Sequence, residues 1–77
     1  MTKIILSAIV GETEFKVGQK VAFLIDGDID SHGEIIRIEY SGHFEDFRRF
    51  DFMIQWEDCT NITRTPMSLM GESVVVI

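Results

Sequence analysis

The chain has 77 residues with 45% apolar side chains, enough for one folded domain and too few for two, and a composition that excludes disorder as its resting state. Thirteen acidic residues against seven basic ones leave a formal charge of -6, so the average field repels phosphate and disfavours general nucleic-acid binding. Cys59 is the only cysteine, which excludes an internal disulfide and points to a reducing, cytoplasmic setting.

The chain opens on an apolar run, residues 4–10, whose β-branched content favours an extra strand ahead of the main domain. The run is too short for a signal peptide and is followed at once by Glu12 and Glu14. After a turn at Val17-Gly18-Gln19, residues 20–25 alternate as a strand with Val21, Phe23 and Ile25 on one face. Asp26-Gly27 ends it, a pair suited to positive φ in a hairpin turn. Residues 33–40 form the next predicted strand, with Ile36, Ile38 and Tyr40 facing one way and Arg37 and Glu39 the other. Period two is strongest over residues 50–57, where Phe50, Phe52, Ile54 and Trp56 alternate with Asp51, Met53, Gln55 and Glu57. A turn at residues 57–60 leads into a short strand, 60–65, with Ile62 inward. Pro66 then opens one turn of 3₁₀ helix before Gly71, and residues 73–77 form the last strand. Five or six short strands with a 3₁₀ turn before the last make an all-β, strongly bent barrel.

These pieces resemble an SH3-like barrel of the Tudor and KOW kind, over residues 15–77. The opening Phe15-Lys16-Val17-Gly18-Gln19-Lys20-Val21 is similar to that family's first strand, and Gly33-Glu34-Ile35-Ile36-Arg37-Ile38 to the strand after its first loop. Ile54-Gln55-Trp56-Glu57-Asp58 matches the Tudor-like Trp-acidic turn, and Pro66-Met67-Ser68-Leu69 the 3₁₀ turn. The resemblance implies a non-catalytic binding module and names no ligand. The glycine of a KOW-like pattern is missing between Gly27 and Gly33, and acid replaces the family's basic character. A Tudor-type cage from Tyr40, Phe52 and Trp56 is not carried over, because their alternation reads as core.

Asp26, Asp28 and Asp30 resemble the start of a calcium loop, but Ser31 and Arg37 stand where that loop needs glycine and glutamate. The cluster is read as a solvated turn able to meet a basic protein surface. His32, His43 and Cys59 lack zinc spacing, so no metal site is expected. Glu57 and Asp58 disfavour a Cys59 thiolate, and the chain has neither a nucleophile elbow nor a phosphate loop, so no catalytic residue, cofactor or enzyme activity is expected. The sequon Asn61-Ile62-Thr63 has no use without a secretory route.

The segment 41–49 carries more than a hairpin needs. A helical turn there would put Phe44 and Phe47 on one face and pair Glu45 with Arg49. Phe44, Phe47, Arg48 and Arg49 are therefore the candidate protein-binding residues, joined by Asp26, Asp28 and Asp30. The same segment also fits a barrel cap or a homodimer face. The reading is a protein-interaction module of bacterial or phage accessory or inhibitor type. Two alternatives stand beside it: a nucleic-acid-binding barrel using Arg37, Arg48, Arg49 and Phe47, and an acidic nucleic-acid mimic using Asp26, Asp28 and Asp30.

Overall fold

The computed structural model describes the backbone of residues 2–44 and 47–77 and the side chains of residues 3–40 and 49–77. The protein is all-β. Its strands are β1 (Thr2–Ile5), β2 (Ser7–Val10), β3 (Thr13–Lys16), β4 (Lys20–Ile25), β5 (Asp28–Phe44), β6 (Phe47–Trp56), β7 (Ile62–Pro66) and β8 (Val74–Val76), with a 3₁₀ turn at Met67–Leu69. The main sheet runs β7-β6-β5-β4-β8, every neighbour antiparallel, with β1 added beside β5; β2 and β3 form a separate hairpin.

The turn between β4 and β5 forms as the sequence predicts, with Asp26 at φ 52° and Gly27 at φ 84° closing the Ile25–Asp28 pair. Both central residues of such a tight hairpin need positive φ, which aspartate tolerates and glycine adopts without a steric penalty.

Strand β5 organises the rest. Seventeen residues drawn straight would span about 55 Å, whereas the longest dimension of the whole protein is 37 Å, so β5 must bend. It bends at a bulge: Ile35 faces Ile54 and Arg37 faces Met53, leaving Ile36 without a partner on β6. Before the bulge β5 pairs with β4, and after it with β1. The extra residue also corrects the expected alternation over residues 33–40: Ile35 and Ile38 are buried and Ile36 is turned out.

Alternation on β6 matches expectation. Phe52, Ile54 and Trp56 are buried, and Phe50 packs against the same core. Its opposite face is covered too: Met53, in register between Arg37 and Arg64, and Asp51 are buried. On β7 the expected inward Ile62 is wrong by one residue. Ile62 faces Gln55 and is 53% exposed, whereas Thr65 lies opposite Phe52 and is buried.

The predicted N-terminal strand is two strands broken at Leu6. Val17 N–H donates to the Leu6 carbonyl at 2.9 Å, and the β2–β3 hairpin folds back over the sheet, where Ala8 and Phe15 enter the core. Phe15 meets Phe52 edge to face at 5.6 Å. The expected barrel closure is not formed: among the described residues, β7 and β8 end the sheet and do not pair with each other. The 3₁₀ turn carries the chain between them, and Met70 and Gly71 then contact Val74.

Candidate interaction surface

The two predicted binding segments stand at opposite ends of β5 and are not brought together. Asp26, Asp28 and Asp30 are exposed at its start. Ser31 Oγ lies 3.0 Å from Asp30 Oδ2 and 3.3 Å from Asp58 Oδ2, and its one proton serves either carboxylate. The β6–β7 connection therefore adds Asp58 to this acidic end, which sequence separation concealed. Among the described residues, no three His, Cys, Asp or Glu side chains gather as a metal-holding group. Cys59 is exposed and free.

At the other end, β5 and β6 continue as a hairpin beyond the rest of the sheet. β4 pairs only as far as Glu34 and β7 only as far as Asp51, while β1 reaches Ser41. Past the Ser41–Arg49 pair, β5 and β6 pair only with each other among the described residues, and Phe44 and Phe47 face each other in register. The backbone corrects the expected helical turn: residues on either side of the tip are strand. The side chains of Phe44, Phe47 and Arg48, and the expected Glu45 partner of Arg49, lie outside the described residues.

Arg49 pairs instead with Asp51, its Nε 3.4 Å from Oδ1. Cross-strand register places Glu39 opposite Asp51, two carboxylates that would repel. Arg64 from β7 bridges them, with Nη1 3.0 Å from Asp51 Oδ2 and 3.1 Å from Glu39 Oε1, and Arg37 Nε closes on Glu39 at 3.1 Å. The hydrogen bond to Glu39, then that to Asp51, raises the Arg64 pKa against the opposing effect of burial. Sequence reading found Arg37 and Glu39 on one face and missed Arg64, which only the β6–β7 register supplies. Among the described residues, the arginines of this face, Arg37, Arg49 and Arg64, are thus each held by a carboxylate.

A shallow groove of about 400 Å³ lies on the same side of the sheet nearer β8, lined by Lys20, Glu34, Ile36, Gln55, Glu57 and Ile77 among others. Lys20 Nζ donates to Glu34 Oε1 at 2.6 Å. That hydrogen bond, with the charge of Glu34, raises the Lys20 pKa above the ordinary lysine value, a smaller desolvation effect opposing it. A group whose pKa is higher folded than unfolded stabilises below its unfolded value and loses that contribution as pH climbs through the folded one. Lys20→Met should therefore lower stability from neutral pH up to the lysine range, and the difference from wild type should vanish at more alkaline pH. Urea titrations across that range read the effect.

No protein-family model matches the chain, and no curated protein or solved structure matches it either.

Proposed function

We propose that the chain is an SH3-like domain that works as a non-catalytic protein-interaction module, with the free end of the β5–β6 hairpin, residues 44–50, as its contact surface. The domain reading is supported by the strand order β7-β6-β5-β4-β8 and by the 3₁₀ turn joining β7 to β8. The contact reading rests on one observation: β5 and β6 run past every other strand, so the Phe44–Phe47 pair with Arg48 and Arg49 is carried outward on a two-stranded arm. Aromatic and arginine side chains concentrate binding energy at protein interfaces. A hairpin that only linked two strands would need neither. An acidic accessory or inhibitor protein of bacterial or phage type, working in a reducing cytoplasm, accords with the -6 charge and the free Cys59.

Affinity capture tests the contact surface. A protein retained by the wild type should be lost on Phe47→Ala and on Arg48→Ala, and kept by the triple variant Asp26→Asn, Asp28→Asn, Asp30→Asn. The reverse pattern would move the surface to the acidic end and overturn the reading. Binding that collapses steeply with added salt and follows nucleic acid rather than protein would overturn it as well.

A further inference from the structure

Strand β1 is bonded on one side only, to β5, among the described residues. Its other edge is bordered by apolar side chains in water: Ile4 is 61% exposed and Leu6, where the chain bends away, 79%. Open edges are pairing templates, and proteins blunt them with charge, proline or covering segments. The remaining edges of the main sheet show such devices. β7 carries Arg64 and ends in Pro66, and the Val74 carbonyl of β8 accepts a hydrogen bond from the Gly71 N–H. On β1, Ile4 and Ile5 stand beside a single charge, Lys3.

We infer that β1 pairs antiparallel with β1 of a second copy, about a twofold axis at Ile4, to join two main sheets into one. This surface is separate from the hairpin tip of the proposed function. Side-chain parity restricts the register to one centred on a residue. Ile4 lies opposite Glu39 on the outer face of the sheet, and Ile5 opposite the buried Ile38 on the inner one. A continuous sheet keeps each face on its own side, so the twofold must relate residues of equal parity. Centred on Ile4, the pairing sets Ile4 against its own copy and lays the aliphatic stem of Lys3 against Ile5 of the second copy. Centred on Lys3, it would oppose two ammonium groups directly, and centred on Ile5, it would set Ile4 against Leu6, past the end of the strand where the chain bends away. Charge also permits the approach: the exposed Asp26, Asp28, Asp30 and Asp58 sit at the far end of β5, and Glu39, in register with Ile4, and Asp51, in register with Glu39, are held by Arg37, Arg49 and Arg64. Two copies that repel overall therefore meet at a locally compensated edge. Pairing across one four-residue strand buries less than a standard interface, so the dimer dissociates on dilution.

Sedimentation velocity over a wide concentration series of the full chain tests this. The wild-type mass should rise from 8.8 kDa toward twice that value, and Ile4→Lys, which opposes two ammonium groups at the twofold, should hold the monomer mass throughout. Ile4 is exposed, so that variant keeps the fold, checked by the emission of the single tryptophan. In a Cys59→Ser background, Ile4→Cys should crosslink two chains on mild oxidation, whereas Ile62→Cys, on the opposite edge of the sheet, should not. A monomer at every concentration, including one whose β1 edge captures a strand of another protein, overturns the inference. So does a dimer that Ile4→Lys leaves intact or that Phe47→Ala abolishes.

Discussion

Phe15→Ala should lower the stability of the protein by about 3–5 kcal/mol. A chain of this length has a total stability of roughly 4–12 kcal/mol, so the variant stands at the edge of unfolding at room temperature. The size of the effect comes from position. Phe15 is fully buried and belongs to the β2–β3 hairpin, while the ring it meets, Phe52, belongs to the main sheet. Together with Ala8 and the partly buried Val10, it is what the hairpin contributes to the core, so truncation both empties a cavity and loosens the second layer. Phe15→Leu retains most of the volume and should cost about 1–1.5 kcal/mol. Urea unfolding of the two variants measures both values. A loss under about 1 kcal/mol for Phe15→Ala would mean that the hairpin lies outside the cooperative unit.

The second large effect comes from adding a methyl group. A Cβ on Gly33 would stand 2.6 Å from Trp56 Cε3 and 3.0 Å from both the Gln55 carbonyl oxygen and Ile54 Cγ2. None of these is the free end of a flexible side chain. The tryptophan ring is pinned in the core with Phe23 edge-on at 5.9 Å, and the carbonyl belongs to the neighbouring strand. Gly33→Ala should therefore cost about 2–3 kcal/mol by overpacking and shift the emission of Trp56, the only tryptophan. In a Trp56→Phe background the clashing ring atom is gone, and the penalty for Gly33→Ala should shrink; a double-mutant cycle reads that coupling. An unchanged penalty would assign the cost to strand backbone and not to the ring.

Much of the local structure was legible because it depends on near neighbours alone. Residues 20–25 alternate and stop at Asp26-Gly27, and the structure has that strand and that positive-φ turn at those residues. The inward set on β6 follows the same parity. Parity failed where one residue was inserted or miscounted. The Ile36 bulge exchanges Ile36 for Ile35 in the core, and the β7 register turns Thr65 in where Ile62 was expected. A bulge and a register are properties of a strand pair, so a single strand read alone does not contain them.

The candidate surface divides along the same line. Residue types marked the 41–50 segment and the acidic turn, but only the length and bend of β5 put them at opposite ends of the protein and left the hairpin arm beyond its neighbours. The Arg64 bridge between Glu39 and Asp51 joins residues remote in the chain and adjacent in the sheet.

By itself the amino-acid order determined that this chain is all-β, where most of its strands and turns fall, and which aromatic residues of β6 turn inward, since those features follow from steric preference and alternation within a few residues. Tertiary structure alone decided that, among the described residues, the sheet stays open, that the N-terminal run splits between an edge strand and a covering hairpin, and which charges meet. Those outcomes depend on which strands pair and in what register, and that choice is made by burying side chains from distant segments against one another.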